Sequence, residues 1–198
     1  MVKRYDCLKF LSDQIKDELV VATLAGTTHE WNSLNKREAN LYLMGMGLVT
    51  GTALGLALAL PNRKVVALES DGGMLMSLSI LPVVAQQRPS NLTIFCFDNE
   101  CYYATGGFPS ATADVSDLGG LAKAAGIKAA QTVTTLEEFI AAAKESMSRE
   151  GPNVVIVKTE KGVEKVPAPT MHGIENKYRF ARYIERTEKI DIFAPVKS

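Results

Sequence analysis

At 198 residues, with 46% hydrophobic content and mean hydropathy near zero, the chain has the length of one globular domain with a real core. Its 22 basic and 22 acidic residues cancel, which argues against electrostatic binding to nucleic acid or to an anionic membrane. The three cysteines, Cys7, Cys96 and Cys101, are odd in number and form no CxxC pair, so neither a disulfide framework nor an iron–sulfur site is expected. The opening MVKRYDCLKF has basic residues but no long apolar core behind them, so no signal peptide is expected. The longest apolar stretch, residues 45–60, is short for a membrane span and stops at Pro61, which reads as a buried helix. The cytoplasm is the default location.

Arg4 to Glu18 carries Leu8, Leu11 and Ile15 at helical period. Leu19 to Leu24 is a short β-prone run, followed by Ala25-Gly26-Thr27-Thr28-His29, a turn rich in small donors. Asn40 to Leu43 reads as another strand, Gly45-Met46-Gly47 as its break, and Thr50 to Leu60 as a small-residue helix. Lys64 to Leu68 is a compact apolar run of buried-strand type. Met74 to Gln87 is long enough for a helix that Pro82 must kink or break. Leu92 to Phe97 is the clearest strand, and Asp98 to Val115 a polar, glycine-containing loop. Then come a helix over Leu118 to Ala125 capped by Gly126, and a strand within Ile127 to Val133. Thr135 to Ser148 opens as a capping box, and Val154 to Val157 is again a buried strand. The tail from Lys158 is charged and Pro-rich, with a late helix around Tyr178 to Glu188.

Strands alternating with helices imply right-handed βαβ units. The expected fold class is α/β: a doubly wound, mainly parallel sheet with helices on both faces. The chain is expected to be one domain over residues 1–198, with 159–198 as a C-terminal extension. Ligands in such sheets lie beyond the carboxyl ends of the strands. The turns at Gly26, Gly45, Asp71 and Asp98 each follow a strand candidate and can converge on one crevice.

Asp71 offers a carboxylate and Asn99 an amide oxygen, one strand–helix–strand interval apart, so the fold returns them to one sheet edge. Such hard oxygens suit Mg²⁺, which commonly shares its ligands with phosphates. The backbone carbonyl of Cys101 is the third candidate. Gly72 and Gly73 let a phosphate approach the backbone, and the next helix presents unpaired N–H groups. Neither GxxxxGK[ST] nor GxGxxG at a first βα turn is present, so a nucleoside triphosphate or a dinucleotide is not the first choice. Taken singly, Asp71-Gly72 and Asp98-Asn99 are ordinary turns of an α/β fold.

Asp71-Gly72 followed by Asp98-Asn99 resembles the thiamine-diphosphate fingerprint, with Ser70 in place of its first glycine. The segment Gly45 to Gly55 is similar to the one preceding that fingerprint in 2-oxo acid decarboxylases, and Asp98 to Gly107 to the corresponding loop of sulfopyruvate and phosphonopyruvate decarboxylases. The resemblance implies thiamine diphosphate and Mg²⁺ as cofactors. Asp71, Asn99 and the Cys101 carbonyl would hold the metal. Gly26, Thr27, Thr28, Gly72, Gly73 and Tyr102 would contact the cofactor, with Met46 propping it in its bent form. A thioether fills core gaps equally well.

Family members built as one long chain carry a second, pyrimidine-binding domain. The resemblance therefore implies a separate pyrimidine-binding α subunit that supplies the activating Glu, in an α₂β₂ or larger assembly. The implied reaction is decarboxylation of a small 2-oxo acid to an aldehyde. The alternatives are a carboligase of acetolactate-synthase type, the β subunit of a 2-oxo acid oxidoreductase, and a cofactor-binding structural subunit without activity. Phe108 stands where the sulfopyruvate and phosphonopyruvate enzymes are expected to have Gln, which points to substrate choice at that position. His29 is a candidate for proton transfer because histidine titrates near neutrality; a structural or exposed histidine is the plainer reading. His172 reads as structural or exposed, Glu100 as solvated, the Arg179, Arg182 and Arg186 row as a solvated face with a subunit contact as the alternative, and Cys96 as core.

Overall fold

A computed structural model describes residues 1–193. Helix α1 (Arg4–Gln14) precedes β1 (Leu19–Ala22), and α2 (Gly26–Leu34) leads to β2 (Asn40–Tyr42). Helix α3 (Val49–Ala59) feeds β3 (Val65–Ser70), and the successive helices α4 (Asp71–Met76) and α5 (Ile80–Gln87) feed β4 (Leu92–Asp98). A small ribbon, β5 (Cys101–Tyr102) and β6 (Phe108–Pro109), fills the loop before α6 (Leu118–Ala124). The remaining elements are β7 (Ala129–Val133), α7 (Leu136–Ser148), β8 (Asn153–Lys158) and α8 (Gly173–Glu188).

The main sheet has the order β2-β1-β3-β4-β8-β7, and every pairing in it is parallel. Its central strands are near-continuous apolar runs because both faces are covered. Successive side chains serve opposite cores. Val65 and Ala67 face a layer that includes Val49, Leu81, Leu118 and Phe180, whereas Val66 and Leu68 face one that includes Leu8, Leu11, Trp31 and Phe139. Phe139 anchors the second layer, edge-on to Phe95 with ring centroids 5.7 Å apart. The expected α/β class and doubly wound arrangement are thus present. Among the described residues no helix is long and apolar enough to cross a membrane.

The chain leaves β1 for one edge of the sheet, then returns to place β3 on the other side of β1. The connections at the carboxyl ends of β1 and β3 therefore diverge, and a crevice opens between them. That switch point is where the glycine turns meet.

Local structure differs from expectation in three places. The helix read over Met74 to Gln87 breaks at Ser77–Ser79, and Pro82 lies in the first turn of α5, where its missing N–H costs nothing. Gly26 to His29, expected as a turn, is the first turn of α2; the turn proper is Leu24–Ala25, with Ala25 at φ +61°. Helix α8 begins at Gly173 rather than near Tyr178. His172, expected to be structural or merely exposed, is structural: it caps the helix, its Nδ1 accepting the Ile174 N–H at 3.2 Å. The capping box of α7 is present, with Thr135 and Glu138 each accepting the other's backbone N–H. Gly126 has φ +104° and donates to the Lys123 carbonyl, as a C-terminal cap should. Helix α8 packs back on the first layer through Phe180 and Ile184, and its Asn176 bonds the β2 backbone at Tyr42 N and Asn40 O.

Candidate active site

A cavity of about 320 Å³ lies at the switch point. Its wall takes Gly26, Thr27 and His29 from the start of α2, and Met46 from the turn before α3. Asp71 and Gly72 come from the start of α4, and Asn99, Cys101 and Tyr102 from the segment after β4. Nine of the residues picked out in the sequence thus share one wall. Two do not. The Thr28 hydroxyl turns back to donate to the Thr23 carbonyl at 2.6 Å and is spent on its own turn. Gly73 lies behind the wall, its N–H on Ser70 Oγ and its α-carbon against the Glu69 carboxylate.

Gly72 is required by close approach. A Cβ there would sit 2.6 Å from the Tyr102 ring and 3.1 Å from the Met46 methyl. These three residues thus form one packed corner of the cavity.

Asp71 is 1% exposed, and Ser110 Oγ donates to its Oδ2 at 2.6 Å, with Thr112 Oγ1 3.4 Å away. Burial pushes its carboxyl above the usual range; Ser110 opposes that shift and the charge of Asp98 adds to it. Asp98 has its own cation, Lys158 Nζ at 2.8 Å, which also reaches Glu100 at 3.0 Å. Glu100, expected to be solvated, is therefore half-buried and paired. Asp71 meets only hydroxyl and backbone N–H donors, and the Thr112 hydroxyl lies nearer Asp98 Oδ1, at 2.7 Å, so the charge of Asp71 is the one in this group that still lacks a cation among the described residues. Asn99 Oδ1 lies 3.3 Å from the Cys101 N–H, which fixes the turn that brings Cys101 into the wall. Burial raises the Cys101 thiol, Asp71 adds to the rise, and the Lys161 and Arg4 cations oppose it.

Glu69 stands directly behind the site, with no exposed surface. Its carboxylate accepts the Thr50 N–H and hydroxyl at 3.3 Å each and the Ser70 N–H at 3.0 Å. It thereby ties the start of α3, beyond the Met46 turn, to the start of α4 beside Asp71. Burial holds its carboxyl up to about 7 despite those donors.

Sequence reasoning missed Ser110, Thr112, Lys158 and Glu69, because each acts through space and none belongs to a local pattern. Phe108 is 69% exposed and folds over Gly106, away from the cavity wall, so the expectation that it decides substrate choice finds no support in its position in this chain.

Among the described residues, no group of three or more His, Cys, Asp or Glu side chains gathers as a metal site. The oxygens on offer are mixed: one carboxylate, one amide and one backbone carbonyl. Such a set is short of charge and suits a cation that also binds a phosphate.

Over residues 23–157 the chain matches the family described as thiamine pyrophosphate enzyme, C-terminal TPP binding domain. It is 32% identical over 184 residues to sulfopyruvate decarboxylase subunit beta of Methanococcus maripaludis, covering 92% of this chain and 98% of that one. It is 30% identical over 178 residues to phosphonopyruvate decarboxylase of Streptomyces viridochromogenes, covering 89% of this chain but 44% of the relative. Among solved structures, benzoylformate decarboxylase of Polynucleobacter necessarius superposes with a TM-score of 0.66 at 22% identity, over 82% of this chain and 34% of that one, a likeness of fold. With a crevice at the β1/β3 switch point and a family match that spans it, the chain belongs to the thiamine pyrophosphate enzymes, as a C-terminal-type TPP-binding domain.

Proposed function

We propose that this chain is the diphosphate-binding β subunit of a thiamine-diphosphate-dependent decarboxylase that converts a small 2-oxo acid to an aldehyde. One observation carries the reading: Asp71-Gly72 and the Asn99–Cys101 segment, which starts 28 positions later in sequence, line a single cavity at the sheet's switch point. The residues fit the cofactor. The Gly72 corner admits no side chain of its own, and the uncapped start of α2 offers free N–H groups to an anion. Asp71, the Asn99 amide and the Cys101 carbonyl would hold Mg²⁺ against the diphosphate, and the cation would replace what Asp71 lacks.

When bound, the cofactor supplies an electron sink for the pair released as CO₂ departs. The chain's own residues bind, orient and shield. Gly26 and Thr27 would take phosphate oxygens, and Met46 and Tyr102 give an apolar wall that excludes water. Gly73 would support the turn from behind, and the Thr28 hydroxyl would hold the β1–α2 connection through Thr23. His29, which also lines the wall, would move a proton to or from substrate.

The chain would work as a single domain over residues 1–198, with 159–198 as its extension; residues 194–198 lie outside the described residues. The partner would be a pyrimidine-binding α subunit that supplies the activating Glu, in an α₂β₂ or larger complex in the cytoplasm. A relative named subunit beta, matched over 98% of its length, supports a two-subunit enzyme.

The test is calorimetry of thiamine diphosphate with Mg²⁺ on the complex, for wild type and Asp71→Ala, with and without chelator. Loss of binding in the variant and on chelation is expected; equal binding by both proteins would sink the metal assignment. A panel of 2-oxo acids assayed for CO₂ and aldehyde then tests the reaction, and CO₂ release with a ligated ketone in place of aldehyde would refute it.

A further inference from the structure

Arg4 is the one cationic side chain of the described residues that is both nearly buried and part of the cavity wall. It comes from the start of α1 yet reaches the start of α2. A Cβ on Gly26 would lie 2.7 Å from Arg4 Nη2 and 2.6 Å from a Val163 methyl. The guanidinium is fixed on one edge only. Nε donates to Glu30 Oε2 at 2.7 Å, and Nη2 to Glu30 Oε1 at 3.0 Å and to the Gly162 carbonyl at 3.3 Å. Glu30 is 1% exposed and is held in turn by the Glu164 N–H at 2.8 Å. Nη1 has no hydrogen-bond partner among the described residues.

A cation at a helix N-terminus is at the end the helix dipole disfavours. Among the described residues helix α2 has no side-chain cap there. A guanidinium locked by a buried carboxylate against an uncapped N-terminus is favourable when an anion sits between them. The fork geometry of arginine, with one edge on Glu30, leaves the other edge to meet phosphate oxygens.

We propose that Arg4, oriented by Glu30, is a diphosphate-binding residue of this site. The proposal rests on the cofactor reading above and adds a cationic ligand from outside the fingerprint segments. It also gives the 160–164 segment a role, since Gly162 and Glu164 hold the pair in place.

The test is calorimetry on the α–β complex with Mg²⁺, using thiamine diphosphate and, separately, inorganic diphosphate as titrants. Arg4→Gln is expected to weaken both by a similar factor, about tenfold or more. Arg4→Lys, which keeps the charge and one bond to Glu30, is expected to fall between Arg4→Gln and wild type and serves alone if Arg4→Gln does not fold. Unchanged affinity in a folded variant would overturn the proposal. So would weakened thiamine diphosphate with unchanged inorganic diphosphate, which would place Arg4 at the ring end, or a change confined to substrate KM. Wild-type complex that binds neither titrant would instead defeat the cofactor reading itself, and the proposal with it.

Discussion

Ser110 Oγ donates to Asp71 Oδ2 at 2.6 Å across 39 positions of sequence. The bond joins the start of α4 to the loop after β6, and it is the shortest support of the carboxylate assigned to the metal. Replacing Ser110 by Ala leaves Asp71 with backbone N–H support and Thr112 Oγ1 at 3.4 Å, and pushes its carboxyl further upward. We expect Ser110→Ala to cost about 1–3 kcal/mol in urea unfolding. We also expect it to weaken Mg²⁺-dependent cofactor binding at pH 6 more than at pH 8. Affinity that falls equally at the two pH values would remove Ser110 from the support of Asp71.

Gly72→Ala places a methyl 2.6 Å from the Tyr102 ring. The ring must move, since overpacking of this kind costs about 1–3 kcal/mol. The expected outcome is a modest fall in Tm with a fall of about tenfold or more in thiamine diphosphate affinity, measured by calorimetry. A variant that binds like wild type would show that the corner is looser than its packing.

Glu138 closes the capping box of α7, and the Thr134 backbone and side chain and the Thr135 backbone hold its carboxyl below the usual range. A carboxylate with a depressed folded pKa binds fewer protons in the folded state than in the unfolded one. Its contribution is therefore present above the unfolded value of 4.5 and is lost as pH falls through the lower folded value. We expect Glu138→Gln to flatten the acid side of the stability–pH curve below about pH 4.5, measured by urea unfolding at several pH values. Thr135→Ala should lower stability by about 1 kcal/mol at neutral pH.

Trp31 has no exposed surface, and its Nε1 finds no hydrogen-bond acceptor among the described residues. An unpaired buried donor costs free energy, so its removal offsets part of the loss of ring volume. Trp31→Phe is expected within about 1 kcal/mol of wild type, against about 3–5 kcal/mol for Trp31→Ala. A loss of several kcal/mol in Trp31→Phe would point to an acceptor that the indole reaches in solution.

Some features were legible because they are local. Residues 65–68 and 154–157 are apolar without interruption and 92–97 is broken only by the buried Thr93, and only a strand covered on both faces keeps such runs dry. The α7 capping box and the Gly126 cap are short-range hydrogen-bond patterns that the residues spell out. Asp71 and Asn99 directly follow β3 and β4 and Met46 lies in the turn after β2, so the position of each just beyond a strand was enough to expect them at one sheet edge. Helix α2 was not legible: a Gly-Thr-Thr start reads as a turn, and its burial comes from Trp31 against the second core layer.

By itself the sequence determined the alternation of strands and helices, and with it a parallel sheet and a ligand crevice at its carboxyl edge. Tertiary structure decided what stands around the ligand oxygens. Ser110 on Asp71, Lys158 between Asp98 and Glu100, Glu69 across two helix starts and Arg4 beside Gly26 are contacts over long stretches of chain. They depend on side-chain direction and on how loops return, and no period or motif records either. Strand periodicity follows from backbone geometry that each residue carries locally. The charge balance of a buried site belongs to all the segments that meet there.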